Sequence, residues 1–371
     1  MRIANVEALP IRLPAYDAAA PSNETERYRT SRANGTAYAN RPEALFVRVE
    51  TDEGTIGWGE ALAPVAPEAT GAWIEKFLKE LLIGKDPRNP RALWREMYDS
   101  MRVRGNTTGV FLDAIAALDI AMWDLKGKSL GVPVWSLLGG KVRDEIPVYV
   151  SGLSGANEGQ KTESALAYME AGFSAFKGVP LTEAFRDAVG PDAVLLYDAL
   201  WRFTLDEAIA FSDRLRELQV AFFECPLAPE AIDDHRTLRK KTSVPVALGE
   251  AERTRYQFKE LLVREAADFL QPDVGRTGIS EFQAIAELGE AFHRRIAPHS
   301  SSGLGVCIAA SIHASAAAPN LYMLEWKPNV FESANRLLLQ PLTCKGGALA
   351  IPHGPGLGVE PDYAALKQLV I

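Results

Sequence analysis

Acidic and imidazole side chains recur along the second half of this chain at a nearly constant interval. Each lies at or just past the carboxyl end of a short apolar run, and the steps between them are 26, 26, 23, 26 and 26 residues. That interval is about the length of one strand-plus-helix unit in a (β/α)₈ barrel, in which all strand ends surround one mouth. The residues are Asp198, Glu224, Glu250, Asp273, His299 and Glu325. The spacing therefore predicts a barrel with these side chains together at its catalytic face.

Three of these carboxylates follow consecutive predicted strands, and they would repel each other at one mouth unless a cation neutralised them. Asp198, Glu224 and Glu250 include no cysteine or histidine, which favours a hard, oxygen-preferring ion such as Mg²⁺. Acidic residues at strand ends also commonly cap the following helix. Helix capping does not account for a histidine at the same interval, so we expect these three carboxylates to form a Mg²⁺ site.

The chain divides near residue 130 into two parts with different patterns. With 371 residues, 47% of them hydrophobic, it can bury a large core and form two domains. Residues 1–130 mix strand, hairpin and helix patterns and predict an α+β domain. Residues 131–335 alternate eight apolar runs with helical segments, which predicts a TIM-like (β/α)7–8 barrel. Residues 336–371 are turn-rich and are expected to return to the first domain, so that the two terminal segments together cap the barrel.

The composition excludes several other classes of protein. A net charge of −8 argues against a nucleic-acid surface or a polybasic membrane patch. The sequence contains no run long enough to span a membrane and no apolar leader, which predicts a cytoplasmic protein. Its three cysteines, Cys225, Cys307 and Cys344, lack metal-ligand spacing. We interpret them as packing residues in a reducing compartment.

Residues 21–40 form a long polar segment without periodicity. Such a segment is either disordered or a lid over a neighbouring site, and we favour the lid because compact domains seldom keep long structureless loops. Its side chains Arg27, Tyr28, Arg29 and Arg32 could bind a second carboxylate or a hydroxyl-rich tail of a substrate. The alternative is a solvated basic loop.

The chain resembles the mandelate racemase and muconate lactonizing enzyme family of the enolase superfamily, in its mandelate racemase subgroup. The matching segments, in order along the chain, are ALDIAMWDLKGKSLGVPVWSLLGG, FFECPL, VPVALGE, DFLQPDVGRTGISEFQAIA, APHSSSGLG and IPHGPGLGVEPD. By position, the resemblance assigns the metal ligands to Asp198, Glu224 and Glu250. It assigns the catalytic dyad to Asp273 and His299, and the acid of the last strand to Glu325. It also implies a homo-oligomer that acts on a small carboxylate substrate.

The resemblance implies removal of a proton α to a carboxylate, with Mg²⁺ stabilising the charge that develops. His299 would be the base, and Asp273 would orient it. Glu325 would hydrogen-bond to the enediolate in its protonated form. Lys177, at the end of the second barrel strand, would neutralise the substrate carboxylate or act as a second base.

The sequence departs from the family pattern beside Lys177. The family commonly carries Lys-x-Lys there, whereas this chain has valine at the second position, and alternation along a strand predicts that Val179 points into the barrel. A valine cannot transfer a proton, so racemisation by two opposed bases is weakened. Leu200 replaces a polar residue found in many relatives and makes the pocket more apolar than a polyol would prefer. Trp201 is either core packing or a pocket wall.

Three hypotheses about function stay open from the sequence. The first is a Mg²⁺-dependent dehydratase of an acid sugar or similar 2,3-dihydroxy carboxylate, in which His299 acts twice. The second is an isomerase, either a racemase or epimerase with Lys177 as second base or a lactone cycloisomerase. The third is a non-catalytic member of the family that binds a carboxylate. The presence of both Asp273 and His299 argues against it.

Overall fold

The N-terminal part of the protein is an antiparallel sheet with helices packed against it. The computed structural model describes residues 1–14, 26–31, 34–300 and 302–371. The strands of this part are β1 Ile3–Arg12, β2 Tyr28–Thr30, β3 Ala37–Ala39, β4 Glu43–Thr51 and β5 Ile56–Ala61. A sheet of order β1–β4–β5 forms the body, and β2 pairs with β3 in a separate hairpin.

A long buried helix joins this sheet to the rest of the molecule. The helices here are α1 Pro67–Trp73, α2 Lys79–Leu82, α3 Pro90–Arg102, α4 Val110–Leu130 and α5 Val134–Leu137, with a π-helical turn between the first two. α4 is buried along most of its length and packs directly on β5. A Cβ atom at Gly59 would lie 1.8 Å from the carbonyl oxygen of Ala117, so only glycine allows the helix to approach this closely.

The second part of the molecule is a closed barrel of parallel strands. They are β6 Glu145–Ser151, β7 Ala175–Lys177, β8 Val194–Asp198, β9 Val220–Glu224, β10 Val246–Leu248, β11 Phe269–Leu270, β12 Arg295–Ile296 and β13 Leu324–Trp326. Neighbours in sequence are neighbours in the sheet from β6 to β12, and β13 pairs with β6. A bridge between Ile296 and Leu321 completes the ring. The eight predicted strands and the predicted TIM-like barrel are confirmed.

Helices alternate with these strands around the outside of the barrel. They are α6 Glu158–Glu170, α7 Glu183–Val189, α8 Leu205–Glu217, α9 Ile232–Lys241, α10 Arg255–Val263, α11 Val274–Ala291, α12 Gly305–Ala316 and α13 Pro328–Asn335. Several begin at a polar side chain that satisfies a free backbone N–H group, as Thr204 does with Glu207 in a capping box at the start of α8. α11 is interrupted by Gly278, whose φ is 69°.

The inward-facing side chains form a filled floor beneath the mouth of the barrel. This interior cluster consists of Tyr149, Ala175, Leu196, Phe222, Ala247 and Ala297, with partly buried neighbours. Side chains two residues further along a strand share its inward face. Ala175, Leu196, Phe222 and Ala297 each precede a site residue by two positions. The packed floor therefore presents the site residues at the carboxyl end of the barrel.

The C-terminal segment contacts both parts of the molecule. It contains β14 Cys344–Lys345, β15 Ala348–Ala350 and α14 Tyr363–Gln368. β15 pairs antiparallel with the first half of β6, and the backbone N–H of Ile371 donates to the carbonyl of Pro10 in β1. The return to the N-terminal sheet was expected, and the added pairing with a barrel strand was not. The domain boundaries at residues 130 and 335 stay predictions.

Two further expectations concern membrane segments and cysteines. Within the described ranges, no helix combines the length and apolarity needed to cross a bilayer. Cys225 and Cys307 are buried free thiols and Cys344 is partly buried, which agrees with their interpretation as packing residues.

Candidate active site

The predicted metal ligands lie together at the mouth of the barrel. Asp198 ends β8, Glu224 ends β9, and Glu250 follows β10 by two residues. One oxygen atom from each of the three carboxylates lies within 4.8 Å of the others. Burial and mutual repulsion raise the pKa of Asp198 and Glu224, although Lys177 opposes this shift. Such crowding is unfavourable for three anions unless a cation is shared among them.

The chain after Asp198 is bent so that one carboxylate oxygen is held by the backbone. The N–H of Leu200 donates to Oδ1 of Asp198 over 2.8 Å. Leu200 and Trp201 both adopt left-handed backbone conformations, with φ of 52° and 54°, which non-glycine residues rarely do. Trp201 lines a small cavity beside Glu250, so it contributes to a wall rather than to the central core.

Lys177 is a buried ammonium between two buried carboxylates. Its Nζ lies 2.7 Å from Oε1 of Glu224 and 2.8 Å from Oε1 of Glu325, and 3.9 Å from Oδ2 of Asp198. Burial disfavours the ammonium, but Glu224 and Glu325 outweigh that effect and raise the pKa of Lys177 well above its ordinary value. A lysine held protonated in this way can neutralise a substrate carboxylate but is a poor base.

His299 and Asp273 form the predicted pair. Nδ1 of His299 lies 2.6 Å from Oδ2 of Asp273, and the other oxygen of Asp273 accepts the N–H of Gly275 over 2.8 Å. With Asp273 as the acceptor, the imidazole carries a proton on Nδ1, and Nε2 is the nitrogen that can exchange a proton with a substrate. Nε2 faces the site, 3.7 Å from Glu250 and 3.8 Å from Glu325.

The surroundings of His299 favour its charged form. Burial disfavours the imidazolium, but Glu250, Glu325 and Asp273 together raise the pKa of His299 to about 9. A dication bound by Glu250 would oppose this shift, since it would cancel part of the negative field. The imidazole is therefore placed to exchange a proton within the site.

Glu325 was expected to be protonated, but its surroundings favour the ionised form. It is buried, and its Oε2 accepts the N–H of Ser300 over 3.0 Å. Burial favours the neutral acid, but Lys177 and His299 outweigh it and lower the pKa of Glu325. The expectation of a protonated Glu325 came from counting its acidic neighbours, and sequence reasoning did not foresee that two cations would flank it.

The strand alternation on which the prediction for Val179 rests does not extend to this residue. β7 ends at Lys177, and Gly178 adopts a φ of 76°, so the alternation of side chains stops there. Val179 is buried in the main apolar cluster with Phe176 and Phe185, outside the interior cluster. The chain thus has no second lysine at this position, and the direction of Val179 stays a prediction.

Some polar groups near the site were missed by sequence reasoning. The hydroxyl of Tyr149 and the side-chain amide of Gln271 are buried without hydrogen-bond partners in the described structure. The ring of Tyr149 lies 5.6 Å from Nζ of Lys177. Both residues precede a strand-end position by two on an inward face, and that alternation is the signal that would have found them.

The basic residues of the 21–40 segment are only partly placed. Arg27 makes ion pairs with Glu43 and Glu68, with closest atoms 2.6 Å apart in each case, and the hydroxyl of Tyr28 also donates to Glu43. The side chains of Arg27 and Tyr28 are therefore occupied by contacts within the N-terminal part. Arg29 lies over the ring of Tyr38. Residues 21–25 and Arg32 lie outside the described residues, so the lid stays a prediction.

The three carboxylates fit a divalent metal ion by their chemistry. Each contributes oxygen, the atom preferred by Mg²⁺, and their separation is compatible with ligands shared around one small ion. Oε2 of Glu224 is buried and has no hydrogen-bond partner in the described structure, which leaves a lone pair for a cation. Asp198, Glu224 and Glu250 could therefore hold a metal ion.

Comparison with known proteins agrees with this arrangement. Residues 26–139 match the model of the mandelate racemase / muconate lactonizing enzyme N-terminal domain, and residues 162–365 match the enolase C-terminal domain-like model. The chain is 34% identical over 351 residues to D-galactarolactone cycloisomerase of Agrobacterium fabrum, covering 89% of this chain and 92% of that protein. It is also 34% identical over 361 residues to D-galactonate dehydratase of Xanthomonas oryzae pv. oryzae, covering 90% and 92%.

Solved structures show the same fold. The crystal structure of a member of the enolase superfamily from Agrobacterium tumefaciens superposes with a TM-score of 0.93 at 35% identity, covering 100% of this chain and 99% of that one. Both domain models match in order and together span most of the sequence. The chain therefore belongs to the mandelate racemase and muconate lactonizing enzyme family of the enolase superfamily.

Proposed function

We propose that this protein is a Mg²⁺-dependent dehydratase of an acid sugar or a similar 2,3-dihydroxy carboxylate. One observation carries the proposal. His299, oriented by Asp273, turns Nε2 toward the mouth, while the ammonium of Lys177 is buried in ion pairs with Glu224 and Glu325. The described site thus offers one base and one fixed cation, which suits elimination better than proton exchange between two bases.

The protein is an enzyme of the lyase or isomerase type. Its relatives include enzymes named dehydratase and cycloisomerase, and both names describe chemistry on sugar-derived acids. These relatives support an acid-sugar substrate for this chain. A small carboxylate substrate also suits the ammonium of Lys177 beside the metal-binding carboxylates.

The chain's own residues account for the proposed steps. When bound to Asp198, Glu224 and Glu250, Mg²⁺ would supply positive charge that stabilises the negative charge developing on the substrate carboxylate. Lys177 would hold that carboxylate from the other side. Nε2 of His299 would remove the α-proton and then return a proton to the departing β-hydroxyl, which leaves as water. The resulting enol tautomerises to a 2-keto acid.

Lactone cycloisomerisation is the second candidate. It is supported by the similarity to D-galactarolactone cycloisomerase over most of both chains, and it likewise needs one good base. Racemisation with Lys177 as second base is less well supported, because Nζ of Lys177 is occupied by ion pairs with Glu224 and Glu325. A non-catalytic member is disfavoured by the intact pair of Asp273 and His299.

The test is incubation with Mg²⁺ and a panel of aldonic and aldaric acids and their lactones. 2-Keto acid formation that is lost on His299→Asn would support the dehydratase. His293→Asn, which changes an exposed histidine, is the matched control and should leave turnover unchanged. Proton NMR in D₂O separates the alternatives, since deuterium at C2 without keto acid would point to an isomerase and refute the dehydratase. A homo-oligomeric state and a cytoplasmic location stay predictions.

A further inference from the structure

Two buried carboxylates of the N-terminal part hold the two loops that carry the proposed base and its partner. We propose that Glu60 and Asp119 are positioning residues that set the geometry of the His299–Asp273 pair from across the domain interface. This inference rests on the proposed role of His299 as the base. It deepens that role, because it places part of the control of the base outside the barrel.

Glu60 lies on β5 and caps a barrel helix that has no cap of its own. The N-cap position of α12 is Leu304, whose side chain makes no capping hydrogen bond. Instead the two carboxylate oxygens of Glu60 accept the N–H of Leu304 over 2.5 Å and the N–H of Cys307 over 2.8 Å. Glu60 is fully buried. Glu60 thus satisfies backbone N–H groups that the start of a helix leaves without intrahelical partners.

Asp119 lies on α4 and holds the point where α11 restarts. Its Oδ2 accepts the N–H of Ser280 over 2.8 Å, and its Oδ1 accepts the hydroxyl of Ser280 over 2.6 Å. Ser280 follows the interruption of α11 at Gly278. A Cβ atom at Gly278 would lie 2.7 Å from Oδ2 of Asp119, so the side chain of Asp119 packs directly against the backbone at Gly278.

Both anchored segments lead directly to the proposed pair. α12 begins shortly after His299, so Glu60 fixes the loop that follows the imidazole. Asp273 is the N-cap of α11, whose kinked continuation Asp119 holds. A third contact, from the N–H of Leu62 to the carbonyl of Gly275, ties the first turn of α11 to the segment after β5. The relative position of the two loops therefore depends on the N-terminal part.

This arrangement matters because proton transfer depends steeply on position. A displacement of about 1 Å in a reacting group can lower a rate about 10²-fold even when the substituted residue does not touch substrate. The hydrogen bond between His299 and Asp273 is 2.6 Å long and buried, so a small shift of either loop would lengthen it. Loss of an anchor should thus lower turnover more than it lowers substrate binding.

The first experiment compares Glu60→Gln and Asp119→Asn with a matched control. Asp124→Asn is that control, because Asp124 is a buried carboxylate of α4 that accepts backbone N–H groups of Trp58 and Leu357, away from both loops. We expect Glu60→Gln to lower kcat by about 10- to 100-fold with KM changed less than about threefold. Asp124→Asn should lower thermal stability while kcat stays within about twofold of wild type.

The second experiment monitors the hydrogen bond between His299 and Asp273 and does not require turnover. The Nδ1 proton of His299, identified by its loss in His299→Asn, is followed by imidazole NMR. Glu60→Gln and Asp119→Asn should move this signal upfield as the hydrogen bond to Asp273 lengthens, and Asp124→Asn should not. If Glu60→Gln does not fold, the comparison of Asp119→Asn with Asp124→Asn still tests the proposal, because Asp119 holds the other loop.

Wild-type kcat together with an unmoved Nδ1 signal in the folded anchor variants would overturn the inference, as would equal effects in the control. If no acid sugar is converted by the wild type, the proposed function fails, but the NMR comparison still tests the positioning role.

Discussion

Replacing Asp273 by asparagine should leave His299 in place but put its proton on the wrong nitrogen. One oxygen of Asp273 accepts the N–H of Gly275 over 2.8 Å and the other accepts Nδ1–H of His299 over 2.6 Å. In Asp273→Asn the amide oxygen must stay with Gly275, since an amide N–H₂ cannot accept. The N–H₂ group then faces Nδ1 and forces it to act as an acceptor. The proton moves to Nε2, where the α-proton of the substrate should arrive.

The expected loss is large and falls on turnover. A base locked in the wrong tautomer lowers kcat by about 10³- to 10⁴-fold in comparable triads, while substrate binding is little affected. The assay is steady-state formation of 2-keto acid, with the tautomer of His299 read by ¹⁵N NMR of the imidazole. Asp124→Asn serves again as the control, because it changes the same kind of buried carboxylate away from the base.

Two results would refute this reasoning. A kcat within about tenfold of wild type would mean that His299 does not need Asp273 to present Nε2. An unchanged Nδ1–H tautomer in the variant would mean that the amide is turned the other way and that the N–H of Gly275 can lose its acceptor.

Three further outcomes can be measured on the same protein. Burial lowers the pKa of His313 from an ordinary value of 6.5 to about 4. Between these pH values the unfolded chain binds a proton that the folded protein does not. The free energy of unfolding should therefore fall as the pH drops through this window, by at most about 3 kcal/mol. Burial raises the pKa of three carboxylates, Glu60, Asp119 and Glu252, to about 7, and these act in the opposite sense. The quantity to follow is therefore the difference in the free energy of urea unfolding between wild type and His313→Gln. This difference should shrink on acidification, and a constant difference would contradict the prediction. Lys177→Met should abolish turnover and destabilise the metal-free protein by about 3–5 kcal/mol, since it leaves Glu224 and Glu325 as unpaired buried charges, whereas Lys259→Met on the surface should do neither. Adding Mg²⁺ at about 100 times its Kd should raise the free energy of unfolding by about 2.7 kcal/mol, seen as an increase in Tm that chelation reverses; an unchanged Tm would argue against the carboxylate site.

The regular part of the fold and the convergence of site residues were predictable from sequence. Strand ends in a barrel meet at one face, so a constant interval between polar residues was enough to bring Asp198, Glu224, Glu250 and His299 together. Alternation along short strands also predicted which residues face inward. Both inferences depend only on local periodicity, which the sequence displays directly.

The features that the sequence did not predict depend on contacts between distant segments of the chain. Alternation could not predict the direction of Val179, because β7 ends at Lys177 and Gly178 has a positive φ, which a glycine in the sequence permits but does not reveal. The ionisation of Glu325 depends on two cations from other strands. The role of Glu60 depends on a helix start more than two hundred residues away. None of these pairings leaves a periodic trace in the sequence.

The pairing of β15 with β6 has a consequence for how this molecule can be assembled or recombined. The first strand of the barrel takes partners from both β7 and β13, and its opening residues take a further partner from the distant hairpin. Contacts between segments so far apart in sequence delay folding, because a long loop must close before any pairing stabilises it. A fragment that contains residues 131–335 alone would therefore lack the β15 partner of β6 and leave an exposed strand edge prone to aggregation.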